Sequence, residues 1–289
     1  MLQVLSIIFP IFAIVLVGYL YARRHGPDMA SANRLNLDVF TPALIFSVLS
    51  AEGFDLQAYA NLALAAMVVV LGSGLLAWPL ARVLGWNSSA FVPPMMFNNS
   101  GNMGLPLALF AFGEAALPAA MVLFLVENTL HFTVGNAILI RRINPLALLR
   151  MPMLVATLAG IGVSLLQLSI PQPLHNAIEL LGQIAIPLML FSLGVRMTGA
   201  TLKDWRIGLV GAIACPATGL LAAWLAVTWI GLSETDVAQL LIFAALPPAV
   251  LNYMLAERYN IRPQQVASIV LLGNLASVVV IPVVLFQVL

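Results

Sequence analysis

Ten apolar runs, each near the length needed to cross a bilayer, leave this chain few ways to fold. A hydrocarbon core of about 30 Å takes roughly 20 apolar residues as a helix. The runs cover residues 2–22, 35–51, 57–83, 88–112, 115–140, 146–168, 174–196, 206–231, 236–257 and 264–288. The second is short, and the fourth and ninth are interrupted. None alternates apolar and polar residues as a barrel strand would. With 62% hydrophobic and 8% charged residues, against about 25% charged in soluble domains, no soluble surface can be built. An all-α integral membrane protein of ten transmembrane helices is predicted, with the lipid bilayer as its surroundings. Leu2–Tyr21 lacks a basic leader and is followed by Arg23 and Arg24, so it reads as a retained span rather than a signal peptide.

The charges orient the spans. The twelve Lys and Arg fall in or beside the odd-numbered connections: Arg23, Arg24 and Arg34; Arg82; Arg141, Arg142 and Arg150; Arg196, Lys203 and Arg206; Arg258 and Arg262. The even connections carry Glu52, Asp55, Glu114, Glu179, Glu234 and Asp236 instead. Basic residues resist translocation, so the odd connections face the cytoplasm and both termini lie outside. The expected location is the plasma membrane, the inner membrane in a bacterium, as a multi-pass protein. A net charge of +1 gives no reason to expect a nucleic-acid partner. A single cysteine, Cys215, excludes an internal disulfide and a multi-cysteine metal site. No cofactor or metal is expected.

The chain also repeats itself. Pro10 and Gly18 in the first span answer to Pro152 and Gly160 in the sixth. TPALIFS at 41–47 answers to IPLMLFS at 186–192, SGLLA at 73–77 to TGLLA at 218–222, PPMMFN at 93–98 to PPAVLN at 247–252, and Asn128 to Asn274. All five pairs run in order at near-constant separation. They imply two five-span halves, residues 1–142 and 143–289. Five is odd, so the halves are inverted in the membrane, an arrangement typical of secondary transporters.

The interruptions fall at matching places, in the fourth span (PPMMFNNSGNMGLP, 93–106) and the ninth. Pro94, Gly101, Gly104, Pro106 and Pro248 are the expected helix-breaking residues. Backbone groups freed there cannot face lipid, but they can line a polar midplane site. A helix restarting there presents free N–H groups to an anion. Asn98, Asn99, Asn102, Asn252 and Tyr253 are the candidate binding residues, with Ser47 as a cavity-lining candidate. The asparagines can instead hold helices together, and Ser47 can bond its own helix.

The paired PPxxxN, the flanking MGLPL and the AALPP…AERYNIRP segment resemble the auxin efflux carrier family, which includes the plant PIN carriers and many bacterial transporters. The resemblance covers the whole chain. It implies a fold similar to the bile-acid sodium symporters, with a scaffold panel and a transport panel in which spans four and nine cross. It also implies small organic anions as substrates, a homodimer, and a substrate-contacting role for Asn99. Asn98 and Asn252 stand where the plant carriers have proline, which loosens the link to auxin itself. The long cytoplasmic loop of many plant carriers is absent, with only a few residues around Arg141–Pro145 joining the halves.

Glu127 is the one acid well inside a span, and His131 follows one helical turn later. Glu127, Asn128, His131 and Asn274 are candidate coupling residues, for H⁺ at Glu127 or Na⁺ at the broken helices; a structural Glu–His pair is the alternative. No Lys or Arg is expected deep in a span, so amides and helix ends would hold the anion. A transporter moving mono- or dicarboxylates by alternating access is the favoured function. A channel or sensor of the same fold is the alternative. An intramembrane enzyme ranks below both, since the sequence has no HExxH, GxSxG or GxxxxGK[ST] motif and no catalytic residues are assigned.

Overall fold

The computed structural model of the protein describes residues 2–51, 54–140, 151–198 and 204–289. Glu52, Arg141, Arg142, Arg150 and Lys203, and the junction between the two expected halves, lie outside the described residues. The described residues are helical, without strands. We number the helices α1 (Leu2–His25), α2 (residues 30–49), α3 (Ala60–Val83), α4 (Ser88–Met96), α5 (Ser100–Phe112), α6 (Glu114–Ile140), α7 (Pro152–Leu165), α8 (Gln172–Met197), α9 (Trp205–Trp229), α10 (Glu234–Ala245), α11 (Val250–Arg258) and α12 (Pro263–Val288).

Six helices among the described residues, α1, α3, α6, α8, α9 and α12, are long and apolar enough to cross a membrane. The other runs are carried by shorter pieces. Helix α2 contains a π-helical turn, Asn36–Phe40. Residues 88–112 form α4 and α5, and 236–257 form α10 and α11. Prolines open α7 and α12, where a missing N–H costs no helical bond. Asn87 and Ser233 cap α4 and α10 through their side chains, accepting from the N–H groups of Ala90 and Asp236.

The helices pack as two panels. In the first, α1 lies along the second half of α8, while α2 packs on α7 and on the first half of α8. In the second, α9 packs against α12, α3, α10 and α4, and α3 also packs on α4 and α6. The panels meet where α1 and α8 touch α5 and where α1 touches α12. Without a hydrophobic driving force between helices in lipid, close backbone approach at small residues takes its place. At the α1–α8 seam, a Cβ at Gly18 would strike the carbonyl of Phe191, and one at Gly194 the carbonyl of Val15. Large apolar side chains such as Phe9, Leu75, Trp229 and Phe286 stand exposed, as they must where the surrounding solvent is lipid.

Candidate functional site

The two interrupted runs meet. Helix α4 stops at Met96 and α10 at Ala245, and the chain crosses itself through an antiparallel bridge between Asn98 and Pro248. The Asn99 N–H donates to the Pro247 carbonyl at 2.7 Å, and the Ala249 N–H donates to the Phe97 carbonyl at 3.0 Å. A two-strand pairing thus satisfies backbone that lipid would leave bare.

The causes of the two breaks differ. Leu246 precedes a proline and is extended, at φ −60° and ψ 146°, as sterics at such a position favour. Pro94 does not act this way: α4 runs on through Pro93 and Pro94 to Met96. Phe97, extended at φ −106° and ψ 101°, has no following proline; its carbonyl is held by α11 instead. Gly101 and Gly104 lie in the π-helical turn that opens α5, and Pro106 lies just after it. Of the residues singled out as breakers, Pro248 alone sits in an extended crossing segment.

The asparagines are largely spoken for. The Asn98 amide donates to the Phe243 carbonyl at 2.7 Å, near the end of α10. The Asn252 amide donates to the Phe97 carbonyl at 2.8 Å and to Ala249 at 3.0 Å. Each therefore caps the broken end of the other run, and each keeps its buried Oδ1 without a partner among the described residues. Asn99 donates to Asn274 Oδ1 at 3.3 Å. Asn274 commits its amide to the carbonyls of Pro248 at 3.1 Å and Val270 at 2.8 Å. Asn102, half-buried in the first turn of α5, makes no side-chain hydrogen bond among the described residues, so its donors are available. The break separates it from Asn98, so the two do not share a helical face. Ser47 bonds the Leu44 carbonyl of its own helix at 2.9 Å.

A second buried cluster sits beside the crossing. Glu127 accepts from Ser100 at 2.9 Å and from Asn128 at 3.1 Å through one oxygen, while the other faces His131 Nδ1 at 3.4 Å. Glu127 and His131 are 2% and 1% exposed. The His131 ring stacks on Phe97 with centroids 4.1 Å apart. Carboxylate, imidazole and the crossing are thereby linked in one contact chain.

Two cavities lie between the panels. The larger, about 580 Å³, is walled by Leu193, Arg196, Tyr253, Glu257 and Asn274 among others, and it reaches the crossing at Val250. The smaller, about 370 Å³, is walled by Ser47, Glu114, His175, Glu179 and Leu190 among others. His175 is part of helix α8, 4.0 Å from Glu179. Leu193 and Leu190 are one turn apart on α8, so about 4.5 Å of helix separates the two walls there. Tyr253 donates its hydroxyl to Glu257 at 2.6 Å. Arg196 was missed by the sequence reading, which grouped it with loop cations. It occupies the last turn of α8 and walls the larger cavity.

A lipid-facing helical protein with a self-paired crossing, and two cavities between its panels of which the larger reaches that crossing, is built as a membrane transporter. The family profile described as "Membrane transport protein" matches residues 135–285. Over 302 aligned positions, the chain is 28% identical to a protein of Rhizobium meliloti (strain 1021) named "Putative malonate transporter", covering 96% of this chain and 93% of that protein. The chain belongs to the membrane transport protein family, that of the auxin efflux carriers, and is a transporter rather than an enzyme.

Proposed function

We propose that this protein is a secondary transporter moving small organic anions, mono- or dicarboxylates, by alternating access between the two cavities. The observation that carries the reading is their approach to one another across a single turn of α8, Leu190–Leu193, beside a crossing whose hydrogen bonds are closed within one panel. A small displacement of one panel against the other then suffices to exchange which cavity reaches the crossing. Malonate, named for the relative, is the first substrate to test.

The reading includes ten crossings in two inverted halves. It is supported by helix pairings that hold when the halves are exchanged: α1 with α8 answers to α7 with α2, and α9 with α12 answers to α3 with α6. Gly18 abuts Phe191, and its counterpart Gly160 abuts Phe46. Both termini outside the plasma membrane and a homodimer complete the proposal, from the charge distribution and the family. We assign H⁺ coupling to Glu127 with His131, on the ground of their burial beside the crossing, and Na⁺ is the alternative ion.

The test is counterflow in proteoliposomes loaded with unlabelled malonate or acetate. Saturable, trans-stimulated uptake of the labelled carboxylate is expected. Uptake linear in concentration and without trans-stimulation would point to a channel, and no uptake of any carboxylate would refute the reading.

A further inference from the structure

The larger cavity contains a cation that the protein itself leaves poorly partnered. The Arg196 guanidinium has five N–H donors. Its hydrogen bond among the described residues goes from Nη1 to Met254 Sδ at 3.2 Å, and a thioether is a weak acceptor. No carboxylate among the described residues stands within 4.0 Å of it, Glu257 in the same wall included. Glu257 is held by Tyr253 instead. A guanidinium drawn partly out of water without an acceptor is costly. A planar fork is the side-chain geometry that matches a carboxylate with two parallel bonds.

We propose that Arg196 is the specificity-determining cation of the larger cavity, gripping one carboxylate of the substrate through two oxygens. The inference rests on the transporter reading for its substrate class and adds the residue that selects charge. Met254, on α11 in the other panel, meets the guanidinium in the cavity wall. An arriving carboxylate displaces the sulfur at little cost, since a weak acceptor is exchanged for a charged one. The cavity, at about 580 Å³, falls within the usual range for small-molecule sites. Asn274 in the same wall has its amide N–H groups committed to carbonyls, so recognition of the charge falls to Arg196.

The first experiment uses wild-type protein in zwitterionic vesicles. Arg196 is labelled with phenylglyoxal, and its peptide is quantified by mass spectrometry with malonate, the neutral isostere malonamide, or neither. Protection by malonate and not by malonamide is expected. Equal labelling in all three overturns the proposal. Protection by added anionic lipid in place of malonate also overturns it, because the ligand is then a headgroup. In the second experiment, Arg196→Gln is expected to raise the KM for malonate roughly 10- to 100-fold, the loss of one charge-assisted hydrogen-bonded pair, and to abolish the preference for malonate over malonamide as competitor. Arg196→Lys is expected to keep the preference with weaker affinity, a point charge replacing a fork. An unchanged KM and preference in Arg196→Gln sinks the proposal while leaving the transporter reading intact. Protection without any transport does the reverse.

Discussion

Replacing Gly194 by alanine tests the seam that holds the first panel together. A Cβ built there stands 2.8 Å from the Tyr19 nitrogen and 2.9 Å from the Val15 carbonyl carbon, and closer still to that carbonyl's oxygen. All three atoms are backbone, so no side-chain rotation relieves them. Helices α1 and α8 must part by about 1 Å, which forfeits a quarter to a half of the dispersion energy across the contact. Overpacking of this kind costs about 2–3 kcal/mol. Alanine returns about 1 kcal/mol of helix propensity, leaving a net loss of about 1–2 kcal/mol. Gly162, in α7 of the same panel, is the control, because a Cβ there meets nothing within 4 Å. Gly162→Ala should keep the propensity gain and be neutral to about 1 kcal/mol stabilising. Reversible unfolding in mixed micelles by SDS, followed by tryptophan fluorescence, reads both variants. If Gly194→Ala matches or exceeds wild type, or the two variants agree within about 0.5 kcal/mol, the seam is not as tight as the geometry requires.

Asn98→Ala and Asn252→Ala should each lower stability by about 0.5–1.5 kcal/mol, because each removes one hydrogen bond from a buried carbonyl that keeps a backbone donor; the same unfolding assay reads it, and wild-type midpoints would contradict the capping role. Asn102→Ala, with no hydrogen bond to lose, should leave the midpoint in place and reduce malonate uptake in proteoliposomes. Glu127→Gln preserves shape and removes the carboxyl facing His131, so uptake should lose its response to an imposed proton gradient; an unaltered response would exclude Glu127 as the proton carrier. Cys215, 2% exposed with its thiol beside the Leu246 carbonyl, should resist a maleimide in folded protein and react on SDS unfolding, and rapid labelling of the folded form would show that α9 and α10 do not pack as described.

The sequence carried the class of protein and the place of the crossing, because both depend on local chemistry. Apolar run length reports the solvent, and the PPMMFN and PPAVLN pair mark the breaks. The position of the first break was less legible. Pro93 and Pro94 suggested it, yet Phe97 is extended because the Ala249 N–H and the Asn252 amide hold its carbonyl, partners roughly 150 residues away. The roles of Asn98 and Asn252 were hidden for the same reason, since an amide's partners lie in the other half of the chain. The Glu127–His131 pair was readable from its four-residue spacing, but the Ser100 hydroxyl that ties it to α5 was not. Arg196 was obscured by its neighbours. Lys203 and Arg206 made it look like a loop cation, although it follows Ser192 by four residues and Leu193 by three, a spacing that shares one helical face.

The crossing meets its backbone demands from its own panel. Among the described residues, the hydrogen bond recorded directly between helices of the two panels is the one from Arg196 to the Met254 sulfur. Polar side chains of both panels wall the cavities at that boundary, Ser47, His175 and Glu179 from one and Glu114 and Glu257 from the other, but among the described residues none of these bonds across it. On the proposed alternating-access reading, that bond is the polar latch between the panels, and a solute able to take the arginine from methionine would also unlatch the machine it is about to ride.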